Sequence, residues 1–234
     1  MFPVSDTLRL RTFPFVNLAL ILANVAVFVY ELTLDDVELF RFFLQRGVVP
    51  VEIVDWAKSP SGITEPSTAV TSMFIHGGWL HLLGNMVFLW VFGDNVEDAM
   101  GHLRYLLFYF LSGFGAVALQ LYVDQEGVIP LVGASGAIAG VLGAYLVLYP
   151  RATVGVIVVW LWFLGALPVP AILLIGFWFI LQLFNGIASL GVDAEVAGGV
   201  AFWAHVGGFL AGLLLALLLS RFSPQGRRSR LTRF

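Results

Sequence analysis

The chain has 234 residues, 59% hydrophobic and only 12% charged, with 12 Lys and Arg against 15 Asp and Glu and a formal net charge of −3. Soluble domains run at about 25% charged and under half apolar, so these proportions exclude an ordinary soluble enzyme and indicate a polytopic membrane protein. Cysteine is absent, which excludes thiol catalysis, disulfides and cysteine-ligated metal sites.

A membrane-crossing helix needs roughly 20 mostly apolar residues, and six segments meet that need, at about 14–31, 73–93, 105–122, 132–148, 166–186 and 201–220. The first follows a short tail carrying Arg9 and Arg11 and is succeeded by further spans, so it reads as a retained signal anchor. The loop from Glu31 to Ser72 mixes short apolar runs with Pro50, Pro60 and Pro66 and reads as a structured outer loop that partly dips into the membrane. His102, after the second span, reads as a solvated loop residue. The run from Val154, with Trp160, Trp162 and Phe163, reads as an interfacial or re-entrant stretch. Pro168 and Pro170 break a helix there, and the aromatics suit the headgroup level. Phe177, Trp178, Phe179 and Phe184 on the fifth span read as lipid-facing, and the glycine-rich 187–200 loop as a cap. The basic tail, 221–234, reads as an anchor on anionic lipid headgroups rather than a nucleic-acid site.

With six spans and the N-terminus inside, nine of the twelve Lys and Arg residues fall on the cytoplasmic side, leaving only Arg41, Arg46 and Lys58 outside. The positive-inside rule then places both termini in the cytoplasm. The expected fold is an all-α polytopic bundle of six transmembrane helices, a single membrane domain over 1–234.

Polar groups inside spans are costly and are functional candidates by default. His81 and Asn85, Ser135, and His205 lie in the outer halves of the second, fourth and sixth spans, which all run from outside to inside. At 1.5 Å per residue, Ser135 and His205 lie about 5 Å below the outer ends. Gly136 and Gly140 on the fourth span, and Gly208 and Gly212 on the sixth, are small residues four apart, the pattern that lets helix backbones approach closely. His205 shares a face with Gly208 and Gly212. A serine and a histidine within hydrogen-bond reach form a minimal activated nucleophile. The Asn85 amide, a His81 nitrogen and the Ser135 N–H are natural oxyanion donors. No intramembrane acid is available to orient His205, so a dyad is expected rather than a triad. His76, before Gly77-Gly78, reads as a structural, loop-tethering residue.

At these residues the chain resembles the rhomboid family of intramembrane serine proteases, in its basic six-helix bacterial form. The resemblance rests on His76-Gly-Gly-Trp-Leu-His81-Leu-Leu-Gly-Asn85, Gly133-Ala-Ser135-Gly136 and Ala204-His205-Val-Gly-Gly208-Phe-Leu-Ala-Gly212, with Glu97 and Gly101 between the first two. It implies Ser135 as nucleophile, His205 as base, and Asn85 and His81 at the oxyanion site. It also implies a water-filled cavity open to the extracytoplasmic face of an inner membrane, and transmembrane proteins as substrates. Two positions depart from the pattern: Trp56 is followed by Ala57 rather than arginine, and Ala139 stands where some relatives carry an aromatic. No cofactor is expected. A metal protease using His76, His81 and His205 is disfavoured by the lack of an H-E-x-x-H helix. The competing class is a non-catalytic relative that binds client helices, which would be expected to lack the serine or the histidine.

Overall fold

The computed structural model describes residues 2–58, 67–160, 163–190 and 200–219. The basic tail, Pro60, Pro66, Trp162 and most of the 187–200 loop lie outside the described residues. In chain order the elements are β1 (Phe2–Asp6), α1 (Phe15–Glu31), α2 (Asp36–Arg46), α3 (Pro50–Lys58) and α4 (Thr68–Thr71) with a 3₁₀ turn at Ser72–Phe74. Next come α5 (Trp79–Phe88), a π-helical turn at Leu89–Gly93, α6 (Asp94–Met100), α7 (His102–Val123) and α8 (Ser135–Leu148). The chain closes with β2 (Thr153–Trp160), β3 (Phe163–Pro170), α9 (Ala171–Ala188) and α10 (Phe202–Leu219).

The molecule is mostly helical, and among the described residues three helices are long and apolar enough to cross a membrane: α7, α9 and α10. A fourth joins them if Thr68–Phe74 and Trp79–Met100, bent by 95°, are counted as one span, while α1 and α8 are apolar but shorter. That composition makes the chain an integral membrane protein.

The structure differs from these expectations in its secondary structure. The fold is not all-α, because β1, β2 and β3 form an antiparallel sheet in that order. The run Val154-Gly-Val-Ile-Val-Val159, read as interfacial or re-entrant, is β-branched and lies extended, as such residues prefer. Pro168 and Pro170 pair with Gly155 and Thr153 on the edge strand β3, where a missing N–H costs no ladder bond. The fifth apolar helix therefore starts at Ala171 rather than near residue 166. The second starts at Trp79 rather than near 73, since Gly78 (φ 153°) breaks the chain direction after the 3₁₀ turn. The Leu89 carbonyl, where the π-helical turn begins, accepts from Asn17 Nδ2 at 3.0 Å.

Helix α8 is the axis of the core. It is buried continuously from Ala137 to Tyr145, which fits a helix that is apolar all round. Glycines make that possible. A Cβ on Gly208 would strike the Gly136 carbonyl oxygen, one on Gly212 the Gly140 backbone, and one on Gly143 the Phe209 carbonyl oxygen. Helix α7 closes in as well, with Ala116 Cβ 2.6 Å from where a Gly136 Cβ would stand.

The end of α8 away from Ser135 is tied down by polar contacts. Tyr145 OH and Asn95 Nδ2 each donate to Asp6 Oδ2 at 2.7 Å, fixing β1 against the bundle. Glu97, fully buried, accepts the N–H groups of Val16 and Asn17 at the start of α1, a favourable place for a carboxylate. His102, read as solvated, is exposed, and it also places Nδ1 2.5 Å from Glu97 Oε1. Gly101 supplies the positive φ (84°) between α6 and α7.

Candidate active site

The segment before α8 fixes where Ser135 stands. Val48 and Leu131 exchange backbone hydrogen bonds at 3.1 and 2.7 Å, and Gly133 N–H donates to Ser72 O at 2.8 Å. Gly133 has φ +120°, and a Cβ there would lie 2.6 Å from His81 Nε2 and 3.6 Å from Asn85 Nδ2. Glycine is thus required twice over, by backbone conformation and by the close approach of α5. Ser135 is the first residue of α8, not three or four residues inside a helix. The first bond across that turn runs from Ile138 N–H to Ala134 O at 3.0 Å. The N–H groups of Ser135, Gly136 and Ala137 therefore have no acceptor within the helix, and the positive end of its dipole lies at the hydroxyl.

His205 comes from the first turn of α10. Its Nε2 lies 2.8 Å from Ser135 Oγ and its Nδ1 lies 2.7 Å from Gln182 Oε1 on α9. Two further contacts hold the head of α10. Ala204 N–H donates to Gln120 Oε1 of α7 at 3.1 Å, and Trp203 Nε1 donates to Gly186 O at 3.1 Å. The Trp178 ring sits 5.9 Å from the His205 ring, centroid to centroid. An aromatic neighbour for the histidine is thus present, supplied by α9 rather than by Ala139. Of the four aromatics read as lipid-facing, Phe177 and Phe184 are exposed. Trp178 turns inward to His205, and Phe179 stacks on Phe209 at 4.2 Å.

Helix α5 brings His81 and Asn85 to the same loop. Gly77 N–H donates to His81 Nδ1 at 3.4 Å; an N–H can only donate, so the His81 proton lies on Nε2, the nitrogen facing Gly133. His76 is buried and tied on three sides. Its N–H donates to the buried Glu31 carboxylate at 3.2 Å, its Nδ1 donates to Phe74 O at 3.3 Å, and its Nε2 accepts from Asn85 Nδ2 at 2.9 Å. Both ring nitrogens of His76 and of His205 are engaged within the protein. No group of three His, Asp or Glu among the described residues could hold a metal ion.

Beside Ser135 opens a small cavity of about 40 Å³, lined among others by Met73, Gly113, Ala116, Val117 and Ala204. It has room for a few waters or one small side chain. The arrangement supplies a hydroxyl, an imidazole in contact with it, donors beside a helix N-terminus and a small recess, which together suit acyl transfer.

Gln182, Gln120 and Glu31 escaped the sequence reading. Each is a polar residue on an apolar helix, the signal that singled out Ser135. An acid is the familiar partner of such a histidine, but an amide oxygen accepts just as well.

A family model described as the rhomboid domain matches residues 64–222. The chain is similar to the Rhomboid protease AarA of Providencia stuartii, 27% identical over 86% of this chain and 71% of that one. It is similar to the Putative rhomboid protease YdcA of Bacillus subtilis, 30% identical over 58% of this chain and 63% of that one. A third likeness is to Rhomboid-like protein 11, chloroplastic, of Arabidopsis thaliana, 33% identical over 65% of this chain and 52% of that one. The chain spans between 25% and 53% of the length of the Arabidopsis relatives it matches.

Proposed function

The chain belongs to the rhomboid family, and on that premise we propose that it is an intramembrane serine endopeptidase acting on transmembrane or juxtamembrane segments of other membrane proteins. The observation that carries this reading is the 2.8 Å contact between Ser135 Oγ and His205 Nε2. In the reaction, Ser135 Oγ attacks the scissile carbonyl while His205 Nε2 takes its proton. The oxyanion receives hydrogen bonds from the Ser135 N–H, the second Asn85 Nδ2 proton and the His81 Nε2–H. Protonated His205 then gives its proton to the leaving amine. Water attacks the acyl-enzyme with His205 again as base, releasing the acid and restoring the serine.

The topology that serves this chemistry has six spans, with the crossing parts of α1, α5, α7, α8, α9 and α10 and both termini in the cytoplasm. It is the basic six-helix bacterial form, in an inner membrane. Helix α8 has 14 residues, about 21 Å at 1.5 Å each, shorter than the ~30 Å hydrocarbon layer. A short central helix with its far end tied to Asp6 keeps Ser135 below the outer surface, in a recess that water reaches from the extracytoplasmic side. Glycines 136, 140, 208 and 212 bring α10 to α8 closely enough for the dyad to form. His76 holds the Asn85 amide in place.

Reconstitution with a model transmembrane substrate tests the reading. Wild type cleaves it, and Ser135→Ala and His205→Ala do not. Binding of the substrate without cleavage by wild type would instead mark a client-binding relative.

A further inference from the structure

Gln182 lies one turn after Trp178 on α9, in a helix whose other described side chains are otherwise almost all apolar. Its amide makes two contacts. Nε2 donates to the Trp178 carbonyl at 3.5 Å, and Oε1 lies 2.7 Å from His205 Nδ1. A carbonyl can only accept, so the Trp178 carbonyl decides which end of the amide faces which neighbour. The oxygen is the end turned to His205.

That orientation has a chemical consequence. An amide oxygen only accepts, so His205 Nδ1 must carry a proton. A neutral imidazole has one such proton, and Nε2 is therefore bare. The Ser135 hydroxyl then donates to Nε2, the direction in which a general base must accept. With the opposite tautomer, Nε2–H would face the hydroxyl and could not take its proton. The helix also supplies the Trp178 ring beside the same imidazole. One turn of α9 thus contributes both contacts that set the histidine's orientation.

We propose that Gln182 is the positioning residue of the dyad, its side-chain oxygen holding His205 in the Nδ1–H tautomer that leaves Nε2 free for Ser135. The proposal rests on the serine-peptidase reading and extends it from a bare dyad to an oriented one. It also makes α9 part of the catalytic apparatus, since a shift of that helix withdraws the acceptor.

Two measurements on the full chain in detergent separate the proposal from the reading beneath it. Nitrogen-15 NMR of histidine-labelled wild type reads the tautomer without any turnover, with the His205 signals assigned by their loss in His205→Ala. The expected result is a protonated Nδ1 and a bare Nε2, and a protonated Nε2 overturns the proposal even if Ser135 reacts. The second measurement is the rate of fluorophosphonate labelling at Ser135. Gln182→Met keeps the length and removes the acceptor, and labels about 10–100-fold more slowly, the size of the loss when the hydrogen-bond partner that orients a metal-bound imidazole is removed. Gln182→Glu restores an acceptor and returns the rate to within a few-fold of wild type. Equal labelling by wild type and Gln182→Met overturns the proposal. Should Gln182→Met fail to fold, rescue by Gln182→Glu and the wild-type spectrum decide. Absence of labelling in folded wild type strikes the peptidase reading itself and leaves the tautomer result standing on its own.

Discussion

Asn85 Nδ2 donates to His76 Nε2 across 2.9 Å, with both residues buried. The amide has two protons. One is spent on His76, and that bond turns the other toward the loop holding Gly133 and Ser135. Asn85→Ala is accordingly expected to slow turnover by about 10²–10³. His76→Leu, which frees the amide to rotate but keeps the donor, is expected to cost less, about tenfold, comparable with the loss of an orienting partner. Steady-state cleavage of one substrate by the two variants checks the order of the effects.

The close contact of α8 with α10 is backbone against backbone, so no side chain can move aside. Gly212→Ala places a methyl in the Gly140 backbone, and Gly208→Ala in the Gly136 carbonyl oxygen. Overpacking of this kind costs about 1–3 kcal/mol. Both variants should melt at lower temperature in detergent and label Ser135 more slowly, since α10 carries His205. Gly176→Ala on α9, where an added Cβ meets nothing within 4 Å, should leave both properties unchanged.

Ser135, His205, His81 and Asn85 stood out in the sequence because a polar side chain in an apolar helix is expensive, and the glycine spacing showed which helix faces could touch. The β2–β3 hairpin was not legible: an unbroken apolar run does not reveal its period, and neither its pairing with β1 nor its edge position for the two prolines has a local signature. The start of α8 at Ser135 was hidden for a related reason. Leu131 and Val132 are as apolar as the helix they precede, and only the pairing of Leu131 with Val48 and the positive φ of Gly133 separate them from it. Gln182 was visible as a letter, but its partner lies across a helix interface that nothing in the spacing specified.

Asp98, past the end of the second span, joins the N-terminal tail to the bundle and gives a pH test. Its carboxylate accepts from the N–H groups of Arg11 and Thr12, from Thr12 Oγ1 at 2.7 Å and from Arg11 Nε at 2.9 Å. Burial is the largest single influence and pushes its pKa up, but the hydrogen bonds from Thr12 and Arg11 and the guanidinium charge together outweigh it, and the net shift is downward. A carboxyl held below its unfolded value stabilises the fold above the unfolded pKa, near 4, and that contribution is lost as pH falls through the folded value. Asp98→Asn should therefore lower the melting temperature at pH 7, and the gap to wild type should shrink in acid. A gap that stays constant with pH would show that the anchor does not depend on the charge.

The small recess beside Ser135, bounded by Met73, Ala116 and Val117, sets an expectation for substrates. A peptide bond that follows alanine or serine should be cut, and the same substrate with phenylalanine at that position should be cut far more slowly. Val117→Ala should narrow the difference by about tenfold or more, the usual worth of a methylene or two in such a pocket. Competition between the two substrates in one reaction gives the ratio directly.

Mass spectrometry after treatment with a fluorophosphonate reads whether the hydroxyl beside His205 is a nucleophile. Folded wild type should gain one phosphonyl group on Ser135, and Ser135→Ala should gain none. Folded wild type that remains unlabelled, or Ser135→Ala that labels to the same extent, would contradict that role.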